Sequence, residues 1–320
     1  MAVNVRAALA VLLITSLGGP RFVVADTPEF FPKRGERERL SLSYATIHAG
    51  ATKPFSVLHA SDTHLTSAYD DEGGKKTTLR DIQTKAFGGR QQEALRDTLD
   101  WARDHVDLMV HTGDLIDFQS RANFDAVREA FSNAPAIFGC LGNHDFNPDL
   151  WLNDPKENGT EAWKDRTRDT LRQVYPFDIS LQSRIVNGVN FVALDNVFGV
   201  VTAAQVERFK AEAAKGLPII LCVHVPFYTD ELWRATRMFW AKPGPRFTEA
   251  TVPVSSGERL SQERDQVTRD FIAYLKSEPL LKAILAGHLH FSAEERFSPT
   301  AMQYVTGGNY LFCARMVLIL

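Results

Sequence analysis

Short apolar runs recur along the chain, and each of them predicts a strand. Short, mostly apolar runs of this length are typical of strands buried in a sheet. They lie at residues 55–60, 108–110, 136–140, 217–223 and 280–286. Two further strands are predicted near 302–306 and 310–320, and Asn187-Gly188 predicts the turn of a hairpin spanning 185–194.

Apolar residues with helical spacing occur between these runs. They predict helices over 90–105, 124–131, 205–214 and 267–276. Alternation of strands with helices is typical of an α/β protein, in which the polar chemistry gathers at the ends of the strands.

Three stretches lack a clear period. Residues 26–50 are rich in proline and charge and then alternate briefly at 40–44, which predicts a tail followed by an edge strand. Residues 66–88 are polar and contain two Gly-Gly pairs, which predicts a loop. Residues 225–260 contain four prolines and predict a long connection. So long a connection inside a compact domain is usually functional or disordered.

The first 25 residues have the features of a secretory signal peptide. Arg6 supplies a positive start, residues 7–17 are mostly apolar, and small residues precede a cleavage point after Ala25. The apolar run is too short to span a bilayer comfortably, so we expect no transmembrane segment in the mature chain. An uncleaved anchor is the alternative. A cleaved chain would be secreted, or periplasmic if the source is bacterial.

Composition narrows the range of partners. The chain of 320 residues is 44% hydrophobic and 23% charged, with a formal net charge of -3 and no block of basic residues. A nucleic-acid-binding surface is therefore not expected. Its three cysteines are too few for a disulfide framework and do not have the spacing of a zinc site.

Residue types that bind metals follow five of the predicted strands. They are Asp62 and His64, Asp114, Asn143 and His144, His224, and His288 and His290. Imidazole, carboxylate and amide oxygen without thiolate suit manganese, iron or zinc. Residues i and i+2 of an extended segment point to the same side, so Asp62/His64 and His288/His290 could each chelate from one turn. Even without His144, the seven other candidate ligands exceed what one tetrahedral zinc needs and fit two ions that share a carboxylate.

These motifs resemble those of the calcineurin-like metallophosphoesterase superfamily. The resemblance covers residues 55–290 and follows the family's order through Asp62-x-His64, Gly113-Asp114-x-x-Asp117, Gly142-Asn143-His144-Asp145, His224 and Gly287-His288-x-His290. It implies an α/β/β/α sandwich of two mixed β-sheets flanked by helices. The pattern of strands and helices agrees with that fold but does not distinguish it from a simple doubly wound sheet. The implied organisation is a signal peptide (1–25), an N-terminal extension (26–50) and a catalytic domain (51–320).

The resemblance also implies a role for each site residue. One metal would bind Asp62, His64 and His290, a second would bind Asn143, His224 and His288, and Asp114 would bridge the two. A hydroxide between the metals would attack the phosphorus of a phosphate mono- or diester, either a small molecule or a lipid headgroup. His144 would be the general acid, with Asp117 as its carboxylate partner and Asp145 as the other candidate for that role.

Two other functions are open at this stage: a secreted metal-containing binding domain without turnover, and a hydrolase of a non-phosphate ester. The complete ligand set favours an enzyme over a binding domain, because burying so many polar groups unpaired is costly. Two roles are open for the aromatic residues of the long connection. They could form an apolar wall for an organic group, or they could only fasten that segment to the domain. They are Tyr228, Trp233, Phe239 and Trp240.

Overall fold

Two β-sheets form the centre of the computed structural model. The structure describes residues 39–132, 134–148, 161–175, 178–240 and 262–320. The predicted signal peptide lies outside the described residues, as does most of the predicted extension. Among the described helices, none has both the length and the apolar character required to cross a membrane.

The first sheet contains five strands and combines both ends of the described chain. Its strands are β1 (Ser41–Ile47), β2 (Phe55–Ala60), β3 (Leu108–Thr112), β4 (Ile137–Cys140) and β11 (Cys313–Ile319). Their order is β1-β11-β2-β3-β4. Strand β11 is parallel to β1 and antiparallel to β2, whereas β2, β3 and β4 run parallel. The edge strand expected near residues 40–44 is thus present as β1.

The second sheet contains six strands. They are β5 (Leu181–Val186), β6 (Val189–Leu194), β7 (Ile219–Cys222), β8 (Leu281–Ala286), β9 (Ala293–Arg296) and β10 (Met302–Val305), in the order β5-β6-β7-β8-β10-β9. The predicted hairpin joins β5 to β6. Its turn residues Asn187 and Gly188 have φ angles of 46° and 82°, as a tight hairpin turn of this type requires.

The two sheets pack face to face, and helices cover their outer faces. Phe55 and Phe138 from the first sheet meet Phe191 of the second, with ring centroids 6.0 and 6.3 Å apart. Successive strand residues point to opposite faces, so Val57 lies between the sheets whereas Leu58 packs under the helices. Both faces are therefore largely apolar, which explains why the strands appear in the sequence as short, mostly apolar runs. The expected sandwich of two mixed sheets flanked by helices is confirmed.

The helices complete the outer layers. They are α1 (Gly74–Phe87), α2 (Gln91–His105), α3 (Arg121–Ser132), α4 (Glu161–Val174), α5 (Ala203–Ala213), α6 (Asp230–Trp240) and α7 (Gln266–Ser277). The four helices predicted from apolar spacing correspond to α2, α3, α5 and α7.

Two stretches that were predicted to be irregular contain helices. Helix α1 lies in the predicted loop 66–88, and none of its residues is buried, so no apolar stripe marks it in the sequence. Helix α6 lies in the predicted connection 225–260, where three of the four prolines follow the helix rather than interrupt it. The long connection predicted over 225–260 therefore begins with a helix, and its residues 241–260 lie outside the described residues.

Candidate metal centre

Five strand ends from both sheets meet at one place. In the first sheet, β2 leads to Asp62 and His64, β3 to Asp114, and β4 to Asn143. In the second sheet, β7 leads to His224 and β8 to His288 and His290. The structure therefore brings all seven predicted ligands together, in two groups that share Asp114.

The first group consists of Asp62, His64, Asp114 and His290. The Nε2 atoms of His64 and His290 lie 3.1 Å apart, and Nε2 of His290 lies 3.4 Å from Oδ1 of Asp62. Nε2 of His64 lies 3.7 Å from Oδ2 of Asp114. The ligand atoms thus point at a common centre.

The second group consists of Asp114, His224 and His288, with Asn143 beside them. Nε2 of His224 lies 3.2 Å from Oδ2 of Asp114, 3.2 Å from Nδ1 of His288 and 3.1 Å from Oδ1 of Asn143. His288 and His290 therefore face different groups, and the expectation that they could chelate one ion from a single turn was wrong.

The hydrogen-bond partners of Nδ1 in two of these histidines show that the donor set suits cations. Nδ1 of His64 lies 3.0 Å from Oδ1 of Asp117, and Nδ1 of His224 lies 2.7 Å from the carbonyl oxygen of Thr112. An acceptor at Nδ1 makes that nitrogen the N–H donor, which leaves the Nε2 lone pair directed into the cluster. Metal-binding histidines are commonly fixed in this way.

Unusual backbone conformations aim these side chains. Asp62, His64, Asp114, His288 and His290 all have φ angles between 52° and 70°, in the left-handed region that side chains other than glycine rarely adopt. Such strain is typical of functional sites.

Two glycines let the loops approach each other closely. A Cβ atom on Gly287 would collide with Oγ of Ser61, and one on Gly142 would collide with the carboxylate of Asp114. Main-chain donors then fix the acidic ligands, since the His288 N–H donates to Asp62 at 2.9 Å and the His144 N–H donates to Asp114 at 2.8 Å.

The charges of the cluster stabilise one another. Burial would raise the pKa of Asp114, but the positive charges of His224 and His144 hold it well below the ordinary value. Burial would lower the pKa of His224, but the carboxylates of Asp114 and Asp62 raise it to about 9. Cations and protons therefore compete for the same lone pairs.

His144 lies beside the two groups. Its Nδ1 lies 3.0 Å from both the carboxylate and the carbonyl oxygen of Asp117. Burial opposes protonation, but the charges of Asp114 and Asp117 raise the pKa of His144 to about 10. The side chains of His144 and His290 are 18% and 17% exposed, whereas His64, His224 and the acidic members are almost fully buried. The cluster is therefore accessible from the side of His144 and His290.

Asp145, the other candidate partner of His144, instead fastens two loops. Its carboxylate accepts hydrogen bonds from the backbone N–H groups of Asp114, Leu115, Ile116 and Gly142 and from the hydroxyl of Tyr175. Burial and the neighbouring charge of Asp114 raise its pKa to about 6. Asp145 therefore holds the loops after β3 and β4 together, whereas Asp117 is the carboxylate beside Nδ1 of His144.

The sequence did not point to two aromatic residues that border the cluster. The ring of Phe87, at the end of α1, stacks on His64 with centroids 4.4 Å apart. The hydroxyl of Tyr310 lies 3.4 Å from Nδ1 of His290. Tyr310 follows Gly307-Gly308-Asn309, a turn signal that could have drawn attention to this loop.

Comparison with known proteins gives an independent result. A family model described as calcineurin-like phosphoesterase matches residues 55–292. No curated protein sequence matches the chain significantly.

Several solved structures are similar at low sequence identity. A dimetal phosphatase from Danio rerio is 15% identical, with 82% of this chain and 91% of that chain covered and a TM-score of 0.47. A 5'-nucleotidase from Candida albicans is 12% identical (85% and 47% covered, TM-score 0.40). A phosphopantetheinyl hydrolase from Mycobacterium tuberculosis is also 12% identical (80% and 91% covered, TM-score 0.36).

Proposed function

The chain belongs to the calcineurin-like phosphoesterase family and is a metal-dependent phosphoester hydrolase, and from that premise we propose its substrate class, metals and mechanism. The substrate is a small-molecule or headgroup phosphate ester, and the centre uses two metal ions. The observation that carries this proposal is the position of Asp114, whose carboxylate belongs to both ligand groups.

Each group would hold one ion of manganese, iron or zinc. Asp62, His64 and His290 would bind the first, Asn143, His224 and His288 would bind the second, and Asp114 would be shared. Two adjacent cations supply positive charge that stabilises a transferring phosphoryl group and make a nucleophile available at neutral pH.

His144 would donate the proton that the leaving oxygen needs. It is the partly exposed histidine whose Nδ1 is held by Asp117, so its opposite ring nitrogen is directed away from that carboxylate. The negative charge of Asp117 stabilises the protonated ring and fixes its orientation. Asp117 also holds His64, so one carboxylate orients both a proposed metal ligand and the proposed acid.

We also propose that the protein is exported. The charged start, apolar stretch and small residues before Ala25 support this proposal. Export would place the enzyme outside the cytoplasm, where it would meet extracellular or periplasmic phosphate esters.

Metal analysis combined with an ester panel tests the proposed function. The purified wild-type protein should contain about two metal ions per chain and, with added manganese, hydrolyse phosphomonoesters or phosphodiesters. Asp114→Asn should lose metal from both groups and lose turnover, because the shared carboxylate is part of each. The exposed carboxylate of Asp100 provides the control, and Asp100→Asn should keep both properties. Full metal content without turnover of any phosphate ester, or turnover of sulfate esters alone, would contradict the proposal.

A further inference from the structure

A small, open recess lies directly beside the second ligand group. His288 forms part of its wall, next to Leu289 on the same loop. Residues of the segment after His224 also line the recess, among them Pro226, Leu232 and Trp233. A ligand in the recess would therefore lie within reach of both His288 and α6.

The described lining residues give the recess a largely apolar, uncharged surface. None of them is a lysine, arginine, aspartate or glutamate. The amide of Gln262 is engaged by the backbone, since it accepts from the Tyr228 N–H at 2.9 Å and donates to the Pro226 carbonyl at 3.1 Å. The hydroxyl of Thr236 donates to the Leu232 carbonyl at 2.8 Å. Apart from His288, these lining residues therefore offer no cation for a second phosphate group.

Helix α6 is attached to the loop that carries the histidines. The ring of Phe239 stacks on Phe291, the residue after His290, with centroids 4.8 Å apart. Thr229, just before α6, is hydrogen-bonded to Glu295 on β9. Of the four aromatic residues considered as an apolar wall, Phe239 thus fastens the helix, whereas Tyr228 and Trp233 line the recess.

We propose that this recess binds the organic group of the phosphate ester, and that this group is compact, uncharged and apolar, with a single aromatic ring as the model case. The inference rests on the proposed function, because it places the phosphorus at the centre that contains His288. The half-buried indole of Trp233 is part of the apolar lining of the recess, and burying a ring against it favours aryl over methyl esters.

Binding of two non-hydrolysable ligands tests the recess without relying on turnover. Phenylphosphonate and methylphosphonate carry the same charged group and differ in the organic group. Calorimetry on the manganese-loaded protein should show about tenfold tighter binding of phenylphosphonate. Trp233→Ala should reduce this preference to less than about threefold, because it removes the apolar wall. Met238→Ala, which truncates an exposed residue of the same helix, should leave the preference unchanged.

A second variant and a kinetic readout complete the experiment. Trp233→Leu keeps an apolar side chain but removes the rings, so it should also weaken the preference while retaining more of the native packing. Wild type should hydrolyse phenyl phosphate with a lower KM than methyl phosphate, and Trp233→Ala should raise the KM of phenyl phosphate selectively.

The outcomes distinguish this inference from the proposed function. Equal affinity of the wild type for the two phosphonates, or a preference that survives in both Trp233 variants, would overturn the role of the recess. Hydrolysis of phosphate esters without a preference for phenyl over methyl would also overturn the role of the recess, but it would leave the proposed function intact. A Trp233-dependent preference for phenylphosphonate without hydrolysis of any ester would support binding of the organic group in the recess and would reject the proposed function.

Discussion

The neighbour of each ring nitrogen determines what a histidine of this chain can do. His64 and His224 have an acceptor at Nδ1, so their other nitrogen offers a lone pair to the cluster. His144 also has Asp117 at Nδ1, but it lies at the partly exposed side of the cluster, which suits a proton donor. His59 and His111 are buried against threonine hydroxyls and are not members of the described ligand groups.

At this scale, ligand identity was predictable but ligand geometry was not. The position of Asp62, Asp114 and His224 after apolar runs is enough to identify them as candidate ligands from the amino-acid sequence alone. The left-handed conformation of five ligand residues depends on contacts between distant loops. The spacing of His288 and His290 did not indicate their division between two groups, which only the family resemblance implied. Phe87 lies in a stretch without an apolar period, so the sequence did not indicate its contact with His64.

Replacing the proposed acid should affect substrates according to their leaving groups. His144→Ala should lower kcat for an alkyl phosphate by about 10²–10⁴-fold, because an alkoxide requires a proton to leave. The loss for p-nitrophenyl phosphate should be less than about tenfold, since p-nitrophenolate leaves unprotonated. Steady-state kinetics on both esters measures the difference. His48→Ala, at an exposed position, is the control, and equal losses on the two esters in His144→Ala would remove the general-acid assignment.

At the scale of secondary-structure elements, the loops after β3 and β4 behave as one unit. Four backbone N–H groups from these loops converge on the carboxylate of Asp145, and Tyr175 at the end of α4 donates to the same group. The buried strands were predictable because both of their faces are apolar. Helix α1 was not, because its position depends on contacts such as those of Lys76 with the carbonyl oxygens of Gln119 and Pro148.

Removing one hydroxyl should weaken this unit measurably. Tyr175→Phe removes the donor that lies 2.6 Å from Asp145, inside the protein. The free energy of unfolding should fall by about 1.5–3 kcal/mol, the usual contribution of a hydrogen bond to a charged group. Urea denaturation measures this change. Tyr69→Phe removes the exposed partner of Asp125 and should cost less than about 0.5 kcal/mol. Similar small losses in the two variants would show that Tyr175 does not support the loops.

At the scale of the whole molecule, buried neutral groups make stability depend on pH. His59, in the centre of β2, is fully buried and its Nε2 lies 2.8 Å from the hydroxyl of Thr112. Burial and the positive charge of Arg315 lower the pKa of His59 to about 3. The unfolded chain, with an ordinary histidine pKa near 6.5, therefore binds a proton before the folded protein does.

The fold should consequently lose stability as the pH falls below about 6.5. His59 should account for about 2–3 kcal/mol of the loss in unfolding free energy at pH 4.5, and for none of it above pH 7. Urea denaturation of the metal-free protein between pH 7 and 4.5 measures the slope. Between pH 7 and 4.5, the unfolding free energy of His59→Gln should fall by about that amount less than that of the wild type. His48→Gln, at an exposed position, should show the same fall as the wild type. Identical slopes in all three proteins would show that His59 is not held neutral.

Strand β11 gives the folding of this chain a definite order. It follows the other strands of the described chain in sequence, yet it lies between β1 and β2 in the first sheet. Synthesis proceeds from the N-terminus, so the position between β1 and β2 stays vacant until residues 313–319 have emerged. The first sheet can therefore close only after those residues have left the ribosome, a non-local closure that is inherently slow.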